Sequence, residues 1–114
     1  MNIKTQLIIA SMAMSLVISL PSQAGNGSEL YSTYCAACHG TSGKGDLPGA
    51  PDFTSESGPL SKDDVTLQAN INNGFQSPGS SMPMPAKGGN PNLSADEIKE
   101  LVKFLKGNFL AGGK

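Results

Sequence analysis

An all-α fold is what this sequence predicts, and three observations predict it. Three segments carry apolar residues at helical spacing, and each opens on a capping signal. Loops rich in Gly and Pro separate them. The first segment ends in Cys35-Ala36-Ala37-Cys38-His39, which holds both Cys and the one His of the chain.

Residues 1–24 read as a cleaved secretory signal peptide. Lys4 supplies the positive start, Leu7 to Leu20 a mostly apolar core, and Pro21 breaks it before Ser22-Gln23-Ala24, a small-x-small cleavage pattern. The apolar core is short for a membrane span. Residues 25–114 then form one domain of about 90 residues, with no second domain and no internal repeat. In that part 7 Lys face 9 acids, a formal −2, and Arg is absent. Without Arg or a basic run, nucleic-acid binding is not expected.

The first helix is expected from about Ser28 to Ala37. Ser28 is its N-cap, Glu29 suits the first turn, and Leu30, Tyr31 and Tyr34 give it an apolar face. Gly40 ends it. Thr41 to Pro59 is loop, punctuated by Gly43, Gly45, Pro48, Gly49 and Pro51. So long a loop in so small a domain implies that it packs on something. The second helix reads from Ser61 to Asn73, with Ser61 and Asp64 as its capping pair and Gly74 as its stop. Val65, Gln68, Ala69 and Asn72 share one face, and Leu67 and Ile71 form a neighbouring stripe. The third helix opens on the Ser94–Glu97 capping box. Ile98, Leu101, Val102 and Leu105 recur at helical spacing, Lys99, Lys103 and Lys106 take the wet side, and Gly107 ends it.

Cys35, Cys38 and His39 read as a covalent haem attachment site. Thiols three residues apart, near one helical turn, can both add to the two vinyl groups of a haem, and the adjacent imidazole can reach the iron. Other chemistries suit these residues less. A redox dithiol belongs near a strand-helix-strand pattern, and no apolar strand run precedes Cys35. A zinc site needs about four ligands, and no second cluster completes one. A disulfide between Cys35 and Cys38 would close a very small, strained ring.

Met82 and Met84 are the only Met residues after the signal peptide. Both sit in a polar loop, Ser81-Met82-Pro83-Met84-Pro85-Ala86-Lys87-Gly88-Gly89, where core filler is not expected. A thioether is a soft ligand that suits haem iron opposite a His, and this pairing raises the reduction potential. Each Met precedes a Pro, which favours extended backbone. Residues two apart in an extended run point to one side, so both sulfurs could face the haem. Composition leaves the choice between them open.

Together these residues resemble the class I c-type cytochromes, in particular the small single-haem bacterial kind. The resemblance rests on a helix that ends in Cys35-Ala36-Ala37-Cys38-His39-Gly40 and on Pro51 in Gly49-Ala50-Pro51-Asp52-Phe53. Met84-Pro85-Ala86-Lys87-Gly88-Gly89 before a capped helix completes it. It implies a small class I cytochrome c fold, three or more helices wrapped round one covalent haem c. Cys35 and Cys38 would hold the haem by thioethers. His39 would be the proximal iron ligand, and the Pro51 carbonyl would accept from its ring N–H and orient it. Met84 would be the distal iron ligand, with Met82 the alternative. Gly27 and Tyr31 would pack against Phe104 where the first and last helices cross, and Lys87 reads as solvated.

The resemblance implies electron transport and no enzymatic activity. We expect a monomeric periplasmic shuttle that meets redox donor and acceptor proteins by transient contact, with no stable membrane span in the mature chain. Two alternatives to the carrier are an open haem site for a gas or peroxide, and a dedicated subunit of a larger enzyme. A chain this poor in aromatic residues and this rich in Gly and Pro has little core of its own. The haem-free chain should therefore be largely unfolded and give no cooperative thermal transition by circular dichroism. A native-like cooperative melt of haem-free protein would contradict this.

Overall fold

The computed structural model describes residues 26–110, together with 15 and 16. Apart from those two residues, the signal peptide expected at 1–24 lies outside the described residues. Among these, four α-helices form: α1 Gly27–Tyr34, α2 Ala36–His39, α3 Asp64–Asn73 and α4 Ala95–Phe109. Two 3₁₀ turns, Pro59–Ser61 and Ala86–Gly89, interrupt the loops. The one β-type pairing among the described residues is an isolated antiparallel bridge between Phe75 and Met84. The predicted all-α class is what is found.

α1 starts one residue earlier than Ser28. Asn26 is its N-cap and makes no side-chain capping bond. Tertiary packing sets this boundary. Gly27 lies where α1 crosses α4, and a Cβ there would sit 2.6 Å from the Glu100 carbonyl oxygen and 2.7 Å from Phe104 Cβ. Tyr31, one turn on, is buried with its ring centroid 5.4 Å from that of Phe104. The expected trio of Gly27, Tyr31 and Phe104 is thus in contact. The single helix expected to run to Ala37 is broken at Cys35 (φ −118°) and resumes as the short turn α2.

The start of α3 also differs from expectation. Ser61 belongs to the 3₁₀ turn that Pro59 begins, and its hydroxyl donates to the Gly58 carbonyl at 2.7 Å. Asp63 caps α3 instead, its carboxylate accepting from the Thr66 N–H at 3.0 Å. A Pro in the first 3₁₀ position fixes φ and commits Ser61 before the helix begins. Asp63 is then the free cap in extended geometry. Of the two stripes on α3, Leu67 and Ile71 are buried, while Val65 is 73% exposed.

α4 has the expected capping box. Ser94 Oγ accepts from the Glu97 N–H at 3.1 Å, and Glu97 Oε1 accepts from the Ser94 N–H at 3.0 Å. Ile98, Leu101, Val102 and Leu105 are buried, as the spacing required. The helix does not stop at Gly107 but continues to Phe109. Gly inside a helix costs roughly 0.5–1 kcal/mol. Phe109 offsets this by reaching Tyr31, Phe104 and Phe53, with ring centroids 5.2, 5.8 and 6.1 Å away. Each such pair is worth about 0.5–1.5 kcal/mol beyond burial, so packing wins. Lys99 and Lys103 are exposed, but Lys106 is not simply solvated. It pairs with Asp64 at 2.6 Å and ties α4 to α3, a half-exposed bridge worth about 0–1 kcal/mol.

α1 and α3 both pack on α4. Phe53, Leu60 and Leu93, from the connections, complete the buried apolar set with 7%, 1% and 2% exposure. Two outcomes follow. Gly27→Ala forces a methyl into the α1–α4 crossing and should cost about 1–3 kcal/mol, read as a lower denaturation midpoint. Asp63 has its carboxyl held below the usual carboxylate range, first by the hydrogen bonds from Thr66 and less by Lys106. A lowered native pKa adds stability above the carboxylate range and loses it as pH falls. Asp63→Asn should keep a capping oxygen but flatten that acid limb in thermal melts between neutral pH and pH 3. An unchanged acid limb would exclude Asp63 as a source of it.

Candidate functional site

α1 ends where the site begins. Cys35 breaks the helix, and its carbonyl accepts from the Cys38 and His39 N–H groups at 3.2 and 3.0 Å. One tight turn therefore carries Cys35, Cys38 and His39. Gly40 closes it, its N–H donating to the Ala36 carbonyl at 2.8 Å. The following loop folds back and staples this turn. Gly45 N–H donates to the His39 carbonyl at 2.8 Å, and Asp46 and Leu47 donate to the Cys38 carbonyl at 2.9 and 3.2 Å. The Tyr31 hydroxyl donates to the Gly40 carbonyl at 2.5 Å, tying α1 to the far side of the turn. Burial, with smaller contributions from Cys35 and Asp46, pushes the Tyr31 phenol up to about 12, so it stays a donor.

A cavity of about 510 Å³ opens beside this turn, within the roughly 300–1,000 Å³ typical of small-molecule sites. Cys35, Cys38, His39, Pro51, Met82 and Met84 all line it. Leu60, Leu67, Ile71, Leu101 and Leu105 make much of its wall apolar. The long loop after Gly40 forms another wall through Leu47, Pro48 and Phe53, which gives its length a structural use. All the residues expected to act together thus come to one cavity from three separate stretches of chain.

The thiols are not disulfide-bonded. Burial, and then the neighbouring Cys38, push the Cys35 thiol up to about 11. A redox-active dithiol needs the opposite, a thiolate favoured near neutral pH. His39 is 7% exposed, and burial lowers its pKa, which favours the neutral imidazole that can ligate a metal. Its Nδ1 is buried with no hydrogen-bond partner. The bond expected from that ring to the Pro51 carbonyl is therefore not among those formed, although Pro51 lines the same cavity.

The two methionines differ in how they are held. Met84 is half-buried against the core, and its backbone exchanges two bonds with Phe75. Met84 N–H donates to the Phe75 carbonyl at 2.7 Å, and Phe75 N–H to the Met84 carbonyl at 3.1 Å. Gly74 makes this close pairing possible. It has φ 81°, and a Cβ there would lie 2.8 Å from the Met84 carbonyl oxygen. Met82 is 54% exposed and its backbone meets only the Ser80 hydroxyl, at 3.1 and 3.3 Å.

A family model described as cytochrome C oxidase, cbb3-type, subunit III matches residues 22–105. The chain belongs to this family of c-type cytochromes. Among solved structures it is similar to the c-type cytochrome XoxG from Methylobacterium extorquens AM1. The TM-score is 0.53 at 22% identity, over 77% of this chain. The chain spans 53% of the length of that protein, and the likeness is one of fold. No curated protein matches the chain. A small class I cytochrome c fold is thereby the fold of this chain, and membership in the family implies haem c and electron transfer.

The residues of this cytochrome fit such a group. Two free thiols and a buried imidazole with an unpartnered nitrogen share one largely apolar cavity. Sequence reasoning missed two contacts here. Phe53 stacks on the His39 ring, with centroids 4.6 Å apart and planes 19° apart. Lys62 sits over the Phe75 ring at 4.4 Å from its centroid, beside the Met84 bridge. Phe53 could have been suspected, being the one aromatic side chain in the loop from Thr41 to Pro59. Nothing local marks Lys62. Lys87 adopts a left-handed backbone conformation (φ 55°) and makes no ion pair among the described residues.

Proposed function

We propose that this cytochrome is a periplasmic one-electron carrier, exported by its first 24 residues and folded as one domain over 25–114. It would hold a single haem c by thioethers from Cys35 and Cys38, with His39 as proximal and Met84 as distal iron ligand. The observation that carries the reading is the convergence of both thiols, the buried imidazole and a backbone-pinned thioether on one cavity. Bound haem would supply the Fe(III)/Fe(II) couple, and a His/Met pair moves its potential upward.

The protein's own residues do the rest. The stapled turn at Cys35–Gly40 keeps the proximal side rigid, and the Phe75–Met84 bridge holds the distal side. Little rearrangement then accompanies a change of charge at the centre. The Pro51 carbonyl is the acceptor we assign to the orphaned Nδ1–H, since a buried unmade hydrogen bond costs about 1–3 kcal/mol. Such a bond sets which ring nitrogen keeps the proton and leaves Nε2 to bind. Among the described residues no helix is long and apolar enough to cross a membrane. Redox donors and acceptors would meet the protein through small transient contacts. The family's description favours one second reading, a fixed subunit of a larger oxidase. Co-purification with a constant partner at high salt would support that over a free carrier.

Carbon monoxide difference spectra of the reduced holoprotein test the ligation. The wild type should show no shift at neutral pH, and neither should Met82→Ala. Met84→Ala should take up the gas. A clear shift in the wild type would mean an open distal side and would move gas binding or peroxide chemistry to first place. Uptake by Met82→Ala alone would make Met82 the ligand.

A further inference from the structure

We propose that Phe53 is a positioning residue for His39, beside the Pro51 carbonyl, its ring fixing the plane of the imidazole. The inference rests on His39 being the proximal ligand. The two rings lie nearly parallel, 19° apart with centroids at 4.6 Å, and both residues are 7% exposed. Parallel offset stacking is a favoured aromatic geometry. In a close-packed interior, turning the imidazole out of that plane drives its edge into the neighbouring face. The bond assigned from Nδ1–H to the Pro51 carbonyl would anchor one edge of the ring, and the Phe53 face adds a wall along its plane.

Phe53 is itself held firmly. Its N–H donates to the Gly43 carbonyl at 2.7 Å. Gly43 has no room for a side chain, since a Cβ there would meet the Phe109 ring at 2.7 Å. Phe109 in turn lies 6.1 Å from Phe53 and 5.2 Å from Tyr31, ring to ring. The Tyr31 hydroxyl bonds the Gly40 carbonyl, next to His39. A run of aromatic rings thus leads from the last turn of α4 to the imidazole. This explains why α4 continues past Gly107: its final residue backs the ring that backs His39.

The plane of an axial imidazole has an electronic consequence. Its filled π orbital overlaps one of the two iron dπ orbitals more than the other, and the ring's direction decides which. In the ferric state this sets how unpaired spin is shared among the four haem methyl groups. Orientation by a neighbour is one means by which a protein tunes a metal. A flat face fixes that direction, whereas an aliphatic side chain of similar size fills the space without defining a plane.

Proton NMR of the ferric holoprotein reads this directly through the four shifted haem methyl resonances. Phe53→Leu should change their order or spread, and Phe53→Tyr should keep the wild-type pattern. Phe109→Leu should move the pattern the same way by a smaller amount, and it decides the matter if Phe53→Leu fails to hold haem. A wild-type methyl pattern in Phe53→Leu, or failing that in Phe109→Leu, overturns the inference even where the melting temperature falls. Absorbance of the wild type keeps this apart from the ligation reading. A wild-type chain without low-spin haem removes that reading and the inference with it, whereas a ligated wild type with insensitive variants removes the inference alone.

Discussion

The anchoring of one turn, Cys35 to His39, is the constraint on which the rest of the structure depends. The buried apolar side chains of α1, α3 and α4 pack into one core, of which only part faces the site. That part borders a cavity of about 510 Å³ whose floor is that turn. Leu60, Leu67, Ile71, Leu101 and Leu105 make much of its wall apolar, which suits a large apolar group. In the proposed reading a haem would complete that wall, and the thiols of Cys35 and Cys38 would hold it covalently. Every other device serves the same end. Gly27 lets α4 close over α1, Asp63 and Ser94 fix where α3 and α4 begin, and the loop after Gly40 returns to bond the turn.

The two sides of the cavity are built differently. Three backbone N–H groups of the loop secure the carbonyls of Cys38 and His39, and the Tyr31 hydroxyl adds a fourth tie at Gly40. The opposite stretch has a firm point at the Phe75–Met84 bridge, but between them it relies on exposed bonds such as Gln76 Nε2 to the Ser80 carbonyl at 2.9 Å. Segments held by exposed bonds with few buried contacts open at lower free energy. In the proposed ligation, exchange would thus begin on the methionine side.

Much of this was readable in the sequence because the signals were local. The Cys35–His39 turn stands out since no other Cys or His exists to confuse it. α4 carries a capping box and four apolar residues at helical spacing, and all four are buried. The misreadings occur where a neighbouring turn or a distant residue overrides the local signal. Ser61 looked like a cap, yet Pro59 and Asp63 together moved the helix start by three residues. Gly107 looked like a stop, yet Phe109 finds a partner in Tyr31, far earlier in the chain. Phe53 against His39, and the pairing of Phe75 with Met84 rather than Met82, depend on how loops return. No periodicity encodes that.

Covalent anchoring at Cys35 and Cys38 is tested most directly by intact mass. The sample is protein exported from a host with haem-attachment machinery, and its alkaline pyridine absorbance is recorded alongside. We expect the mass of the processed chain plus one haem that survives denaturation, with a pyridine spectrum typical of two thioether links. A bare chain with two free thiols, or haem lost on denaturation, would contradict it.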